Sequence, residues 1–479
     1  FGKYYILFDT AAKESVYYVH PSMTEPAEFL TDFTGYEVLT RNWQGVTSLE
    51  ISEGGRLFAT WVSGGDGEPR AENYDVIVYS DDGGESWNDL WIIDHPNDEV
   101  KINDAQLWRD PDGTLWIFYC QSKTGNSFDR NAGVWCVTVE DPGAPQIVHS
   151  EPRRLFGGLL RNNITVLSDG TWLAFPNDFI DDTNTVCYAS EDKGQTWQVR
   201  GGAFAPQAFN FDETMAVELK DGTLWMMIRN SNGKLLESYS YDKGHTWTDA
   251  VYTDIDNPTS RFFLGRMPSG NLLFINNDSA SGSNNITAFI SEDEGKTWQY
   301  QCLLDARQNT SYPDVAFADD GTIYAIWDQD RINTGNIILA TFTEQDIKEN
   351  TVLPAGKLRT ISSASEFTVE AAEGETLGNG TIFEATGGFD AACDDGTENA
   401  QVVQKGENSQ YIYFKNGAPS EFYAETELRA MSIANGDDYP KFGITVRSEK
   451  KTMFFYIDGQ REFHKYTAGV VLGDETSWD

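Results

Sequence analysis

The chain has 479 residues, with 75 acidic against 35 basic side chains and a net charge of −40. That balance disfavours nucleic acid and anionic lipid as partners, and no apolar run reaches the roughly 20 residues of a membrane helix, so membrane insertion is not expected. Aromatic residues make up 13% and Gly is abundant while helical patterning is scarce, so the chain reads as all-β, with short aromatic strands between glycine turns.

Near the N-terminus, "YYILFD" and "SVYYVH" are apolar runs expected to close a ring of sheets against its last member. Two signals then alternate along the chain. The first is a turn leading into an apolar strand. It reads "EGGRLFATW" around Gly55, "PDGTLWIFY" around Gly113 and "SDGTWLAFP" around Gly170. It returns as "KDGTLWMMI" around Gly222, "PSGNLLFIN" around Gly270 and "DDGTIYAIW" around Gly321. Such pairs mark hairpins, because glycine accepts the positive φ the turn requires.

The second signal is Ser-x-Asp-x-Gly-x-(Thr/Ser)-Trp, ending at Trp87, Trp197, Trp247 and Trp298, roughly 25 to 32 residues after its hairpin. Units two and six carry "VWCVTVEDPG" and "ILATFTEQDI" in its place. Turns recurring every 48 to 58 residues give units of about four strands, the size of a propeller blade. Six turns predict six blades, with five blades and an extra hairpin as the alternative.

The propeller is expected over 1–355 and a linker over 356–362, within "TVLPAGKLRTISSASEF". A β-sandwich of laminin-G or concanavalin type is expected over 363–479, where "SQYIYFKNG", "KFGITVRS" and "TMFFYIDG" alternate; its predicted role is carbohydrate binding, and it looks truncated. The five scattered cysteines read as buried thiols, with Cys120 and Cys136 as the one pair a hairpin could bridge. A chain opening on Phe1 is expected to come from a longer secreted or cell-surface polypeptide, bacterial in origin.

The repeated Ser-x-Asp-x-Gly-x-Thr-Trp resembles the Asp-box of the sialidase superfamily. The resemblance implies a six-bladed propeller whose boxes lie at the blade periphery. Asp82, Asp192, Asp242 and Asp293 are then expected to hold turns rather than to do chemistry, each Trp plugging a blade interface. It also implies a funnel site fed by one or two residues from each blade.

Candidates follow in chain order. "RNWQGVTSLEIS" puts Gly45 where the family has the first of three carboxylate-clamping arginines, with Arg41 and Arg56 off register. "SGGDGEPRAENYDVIVYS" lies at the acid/base loop, with Glu68 favoured over Asp66 and Asp75. "EVKINDAQLWRDPDG" offers Lys101 and Asp104, and "LLRNNITVL" offers Arg161. "DETMAVELKDGTLWMMIRN" resembles the stretch that supplies a Glu and a triad Arg, here Glu213 and Arg229. "PTSRFFLGRM" adds Arg261, and Asn284 and Asn285 stand where the third clamp arginine belongs. "SYPDVAFADDGTIYAIWD" places Tyr312 at the nucleophile. A phenol, with an ordinary pKa near ~10, needs a carboxylate neighbour to give up its proton during attack. One clamp position of three is matched, which points away from a conventional sialidase.

Three functions fit. The first is a retaining exo-glycosidase that removes a terminal sugar without a cofactor. Tyr312 is its nucleophile, Glu213 the partner base and Glu68 or Asp104 the acid/base, with Arg229, Arg261, Lys101 and Arg161 binding substrate. The second follows a resemblance to propeller-fold GalNAc deacetylases, which implies a divalent metal on Asp104 and Glu68, with Lys101 and Phe263 where histidines are expected. The third is a glycan-binding propeller without turnover. A glycan is the partner in all three, and a monomer the default state.

Overall fold

The computed structural model describes residues 20–363 apart from 37–40, 42, 126–130, 178–183, 206–212 and 333; beyond 363 it describes only the backbone of short strands between 369 and 478. Six antiparallel sheets succeed one another along the chain. Blade one contains β1 (Glu28–Leu30), β2 (Gln44–Ile51), β3 (Leu57–Ser63), β4 (Tyr74–Ser80) and β5 (Asn88–Asp94), with β1 added outside β5. Blade two is β6 (Val100–Arg109), β7 (Leu115–Lys123), β8 (Gly133–Val139) and β9 (Arg153–Gly157). Blade three is β10 (Thr165–Val166), β11 (Trp172–Ala174), β12 (Cys187–Ser190) and β13 (Gln198–Gly201). Blade four is β14 (Met215–Glu218), β15 (Leu224–Ile228), β16 (Lys234–Ser240) and β17 (Val251–Asp256). Blade five is β18 (Phe263–Arg266), β19 (Leu272–Asn277), β20 (Ile286–Ser291) and β21 (Tyr300–Asp305). Blade six is β22 (Thr310–Phe317), β23 (Thr322–Gln329), β24 (Asn336–Thr343) and β25 (Leu358–Ser362).

The protein is therefore an all-β, six-bladed propeller, and the five-blade alternative falls. Each predicted turn glycine joins the innermost strand of a blade to its neighbour, with φ between 86° and 92° at Gly55, Gly113, Gly170, Gly222, Gly270 and Gly321. One expectation is corrected. The segment 356–362, read as a linker, supplies β25, whose Thr360 pairs with Ile338 and Leu358 with Ala340 of β24. Its Pro, Gly and Ser content suggested a loop, but an unpaired edge on β24 decides the conformation. The N-terminal runs expected to close the ring lie outside the described residues, apart from His20. Beyond 363, Lys441–Arg447, Thr452–Gln460, Lys465–Leu472 and Glu475–Trp478 form one antiparallel sheet. Val369–Glu370, Phe389–Cys393 and Ala400–Gln404 form a second sheet, and Phe383–Ala385 pairs with Ile412–Phe414; the remaining residues of the expected sandwich lie outside the described residues.

The core is a set of wedges between neighbouring blades. Phe58 and Trp91 of blade one meet Ile102, Leu107 and Tyr119 of blade two. Trp116 and Phe118 of blade two meet Trp172 of blade three. Leu49 and Trp61 of blade one meet Ile326, Ile337 and Leu339 of blade six, which closes the ring. The inner strands leave an axial cavity of about 500 Å³ between Glu50, Trp108, Thr165, Ala216, Leu264 and Val315. Cys120, Cys136, Cys187 and Cys302 are free and buried. Cys120 lies opposite Val134, and Cys136 opposite Phe118, so the hairpin does not place the two directly across from each other.

The four boxes repeat one hydrogen-bond pattern between the third and fourth strands of their blades. In the first, Ser86 donates its N–H (2.9 Å) and its hydroxyl (2.6 Å) to the Asp82 carboxylate, and Ser80 adds its hydroxyl (2.7 Å). Asp192, Asp242 and Asp293 hold Thr196, Thr246 and Thr297 in the same way. Each box glycine has positive φ and faces the preceding blade. A Cβ on Gly194 would stand 2.6 Å from Trp116, and one on Gly84 or Gly295 would collide with Leu339 or Trp225. The boxes thus dock blade on blade.

Hydrogen bonds from Ser86 hold the Asp82 carboxyl down to about 2. Because this folded-state pKa is depressed, the stabilisation is present above the unfolded value of roughly 4 and is lost as pH falls through about 2. Asp82→Ala is expected to lower Tm by a few degrees at pH 7 and leave kcat/KM unchanged. A thermal melt with parallel kinetics checks this.

Candidate active site

One residue per blade stands nine positions before its turn glycine: Val46, Asp104, Arg161, Glu213, Arg261 and Tyr312 precede Gly55, Gly113, Gly170, Gly222, Gly270 and Gly321. These residues form the ring at the funnel. In blades one, two and six the inner strand shifts register at that point, and Val46, Asp104 and Tyr312 take φ of 59°, 58° and 60°. Left-handed backbone at a β-branched or bulky residue costs on the order of 1–3 kcal/mol and persists only where its surroundings hold it. Asp328 accepts the Val46 N–H (2.8 Å), and the Thr47 hydroxyl donates to the Tyr312 carbonyl (2.9 Å).

Tyr312 is buried, and its hydroxyl donates to Glu213 Oε1 at 2.5 Å while accepting from Arg229 Nη1 at 2.8 Å. Arg229 also ion-pairs with Glu213 Oε2. Burial pushes the Tyr312 phenol up to about 12 and the Glu213 charge adds to the rise, while Arg229 and Arg161 oppose it. At Glu213 burial works against ionisation, but Arg229, Arg161 and the Tyr312 hydroxyl override it and bring the carboxyl down to about 2. The site therefore holds a neutral phenol on a carboxylate, with a guanidinium ready to stabilise a phenolate.

Arg161 binds three carboxylates from three blades. Nε donates to Asp104 Oδ2 (3.0 Å), Nη1 to Glu213 Oε1 (2.9 Å) and Nη2 to Glu68 Oε1 (3.3 Å). Glu68, on the loop after β3, is pushed up to about 7 by burial and by the Asp104 charge, against Arg161 and Arg331. Near neutral pH it populates both protonation states, as an acid/base group requires. Asp75 is fully buried on β4, and burial with the Asp104 charge holds its carboxyl well above the usual range. Asp66 instead lies at the surface, paired with Arg70 (2.7 Å).

Of the residues expected at the site, Tyr312, Glu213, Arg229, Arg161, Asp104 and Glu68 come together. Arg261 and Lys101 are employed differently. Arg261 donates to the carbonyls of Arg161 (2.9 Å), Tyr312 (3.1 Å) and Thr47, so it braces the ring backbone rather than facing a ligand. Lys101 is buried and donates to the Gly125 carbonyl (2.7 Å). Arg161 likewise acts as the tie among the acids. The two carboxylates offered to a metal, Asp104 and Glu68, are bridged by this guanidinium through one oxygen each. Among the described residues no group of three or more His, Cys, Asp or Glu is placed to hold one. Sequence reasoning missed Arg331, which follows β23, pairs with Asp328 (2.8 Å) and lies 4.2 Å over the Tyr312 ring.

Residues 55–325 match the family described as BNR repeat-like domain. The chain belongs to that family. As a BNR-repeat protein it is a divergent member of the sialidase superfamily. It is 24% identical over 327 residues to a sialidase of Micromonospora viridifaciens, a match covering 58% of this chain and 48% of that protein. The chain thus spans about half the length of the curated relative it matches. Among solved structures, a Hadza microbial sialidase superposes with a TM-score of 0.54 at 19% identity, covering 64% of this chain and 67% of that one. The intramolecular trans-sialidase from Ruminococcus gnavus superposes with a TM-score of 0.52 at 14% identity, covering 65% and 96%. At these identities the structural likeness concerns the fold. No described helix is long and apolar enough to cross a membrane.

Proposed function

We propose that this BNR-repeat propeller is a retaining exo-glycosidase that removes a terminal sugar from glycans outside the cell. The observation that carries the reading is the buried Tyr312 hydroxyl bonded at once to Glu213 and Arg229. In the first step Tyr312 Oη bonds to the anomeric carbon as the glycosidic C–O bond breaks. The phenol proton passes to Glu213, and the leaving oxygen takes a proton from Glu68. In the second step water attacks the same carbon, Glu68 takes back a proton, and the tyrosyl oxygen leaves and recovers its own from Glu213. Arg229 supports the charge on the phenolic oxygen in both steps. No cofactor enters the sequence.

The reading also fixes a pH dependence. Glu68 must begin protonated, so kcat/KM should fall as pH rises through about 7. In Glu68→Gln that alkaline limb should vanish, with residual turnover confined to substrates whose leaving group needs no proton. An unchanged limb would assign the acid elsewhere.

The reading is tested by offering a panel of aryl glycosides and natural glycans, with and without EDTA, and following products by mass spectrometry. Loss of a whole sugar, indifferent to EDTA and with retained anomeric configuration, is the expected result. Loss of an acetyl group alone, abolished by EDTA, would make the protein a deacetylase. Binding without turnover would make it a lectin-like propeller.

A further inference from the structure

Glu68 sits in the connection 64–73 between β3 and β4, which reads "GGDGEPRAEN". That stretch contains no large apolar side chain to anchor it by burial, and its three glycines give the unfolded loop many conformations to lose. The carboxylate itself is loosely gripped. Arg161 Nη2 stands 3.3 Å from Oε1 and Arg331 Nη1 3.7 Å from Oε2, both longer than a firm charge-assisted hydrogen bond.

One side chain ties the loop together. Asn73, immediately before β4 and 1% exposed, accepts the Arg70 N–H at Oδ1 (2.6 Å). Its Nδ2 donates to the carbonyls of Gly64 (2.8 Å) and Gly67 (3.0 Å). The orientation of the amide follows from its partners, since an N–H needs an acceptor and a carbonyl needs a donor. The contacts at Gly67 and Arg70 therefore bracket Glu68 and Pro69. Gly64 lets the chain close this tightly: at φ 82°, a Cβ there would stand 2.4 Å from the Glu72 carbonyl oxygen and 2.6 Å from Tyr74 Cε1. On the outer face Arg70 pairs with Asp66 (2.7 Å), an exposed contact of small worth in water. The place of Glu68 among Asp104, Arg161, Glu213 and Arg331 is thus set from behind, through the backbone.

We propose that Asn73 is a positioning residue, whose amide clamps the 64–73 loop and thereby holds the Glu68 carboxyl at the funnel ring. The placement stands on the geometry of the loop; its consequence, delivery of a proton to the leaving oxygen, rests on the glycosidase reading.

Two readouts test it. Carbon-13 NMR follows the Glu68 carboxyl in the wild type and in Asn73→Ala, with Glu68→Gln identifying its signal. In the wild type, burial and the Asp104 charge should make it titrate at about 7, and release of the loop into water should bring it down by roughly one unit or more. Kinetics with two aryl glycosides read the consequence. For a poor leaving group, kcat/KM of Asn73→Ala should fall roughly tenfold or more, and for a nitrophenolate, which needs no proton, less than about twofold. In the Glu68→Gln background Asn73→Ala should cost nothing further. Asn73→Ser, which keeps one hydrogen bond to the loop, covers the case in which the alanine variant does not fold and should show smaller changes in the same direction. An unmoved titration overturns the proposal whatever the activity. So does an equal loss on both glycosides, or a further loss on top of Glu68→Gln, either of which makes Asn73 a support for the fold. A wild type that releases no sugar sinks the glycosidase reading instead, and the titration alone then decides on Asn73.

Discussion

Tyr312→Phe is expected to lower kcat/KM by about three orders of magnitude or more while leaving the fold and ligand binding intact. The substitution removes a single oxygen. The ring stays in its apolar contacts with Trp43, Val46 and Val62 and keeps its place beneath Arg331. Glu213 loses one hydrogen bond but remains paired with Arg229 and Arg161, so no buried charge is orphaned. The structural cost is then on the order of 1 kcal/mol, small beside the loss of the nucleophile. Steady-state kinetics and a thermal melt on the same preparation check it. A variant within tenfold of wild type would remove Tyr312 from the chemistry.

The second large effect is on stability. Arg161→Met deletes the guanidinium that joins Asp104, Glu213 and Glu68, leaving three buried carboxyls short of a counter-charge. Breaking a buried ion pair on one side costs about 3–5 kcal/mol, which should appear as a lower denaturation midpoint at pH 7. The pH dependence has a definite sign. Glu213 has a depressed folded-state pKa, so its contribution is present above the unfolded value of roughly 4.3 and is lost as pH falls through about 2. Glu68 has a raised one, so its contribution is fully present below roughly 4.3 and is lost as pH rises through about 7. Without Arg161 both carboxyls move further up, and the penalty grows from acid towards neutral pH. The gap between wild type and variant should narrow between pH 7 and pH 5. A gap of equal size at both would mean that Arg161 fills space rather than balancing charge.

How far the sequence speaks depends on whether a signal is local. The blades were legible because a turn glycine needs positive φ and a box aspartate caps its own turn, and both constraints are met within a few residues. The conformation of 358–362 was not, since it depends on the open edge of β24, far outside that window. Tyr312, Glu213 and Arg229 could be placed by resemblance to family segments. The uses of Arg161 and Arg261 could not, because a cation in a strand does not announce whether carboxylates or carbonyls will surround it. The fixed nine-residue offset to the turn glycine is a signal the sequence does contain. Measured from all six turns, it picks out the ring, Val46 included. Arg331 has no such offset. Its position follows from the absence of a side chain at Gly45, and only the folded chain brings those two residues together.

The packing of blade six against blade one has one more consequence. Tyr312 and Arg331 come from the last blade, Val46 and Glu68 from the first, and the ties between them (Asp328 to the Val46 N–H, Thr47 to the Tyr312 carbonyl) cross a seam that no peptide bond joins. A chain with five blades formed and that seam unlatched would keep most of its strands and yet leave the Tyr312 cluster unassembled. On the proposed glycosidase function, chemistry would be a property of closure, and activity would report on the last join of the ring rather than on the blades that make it.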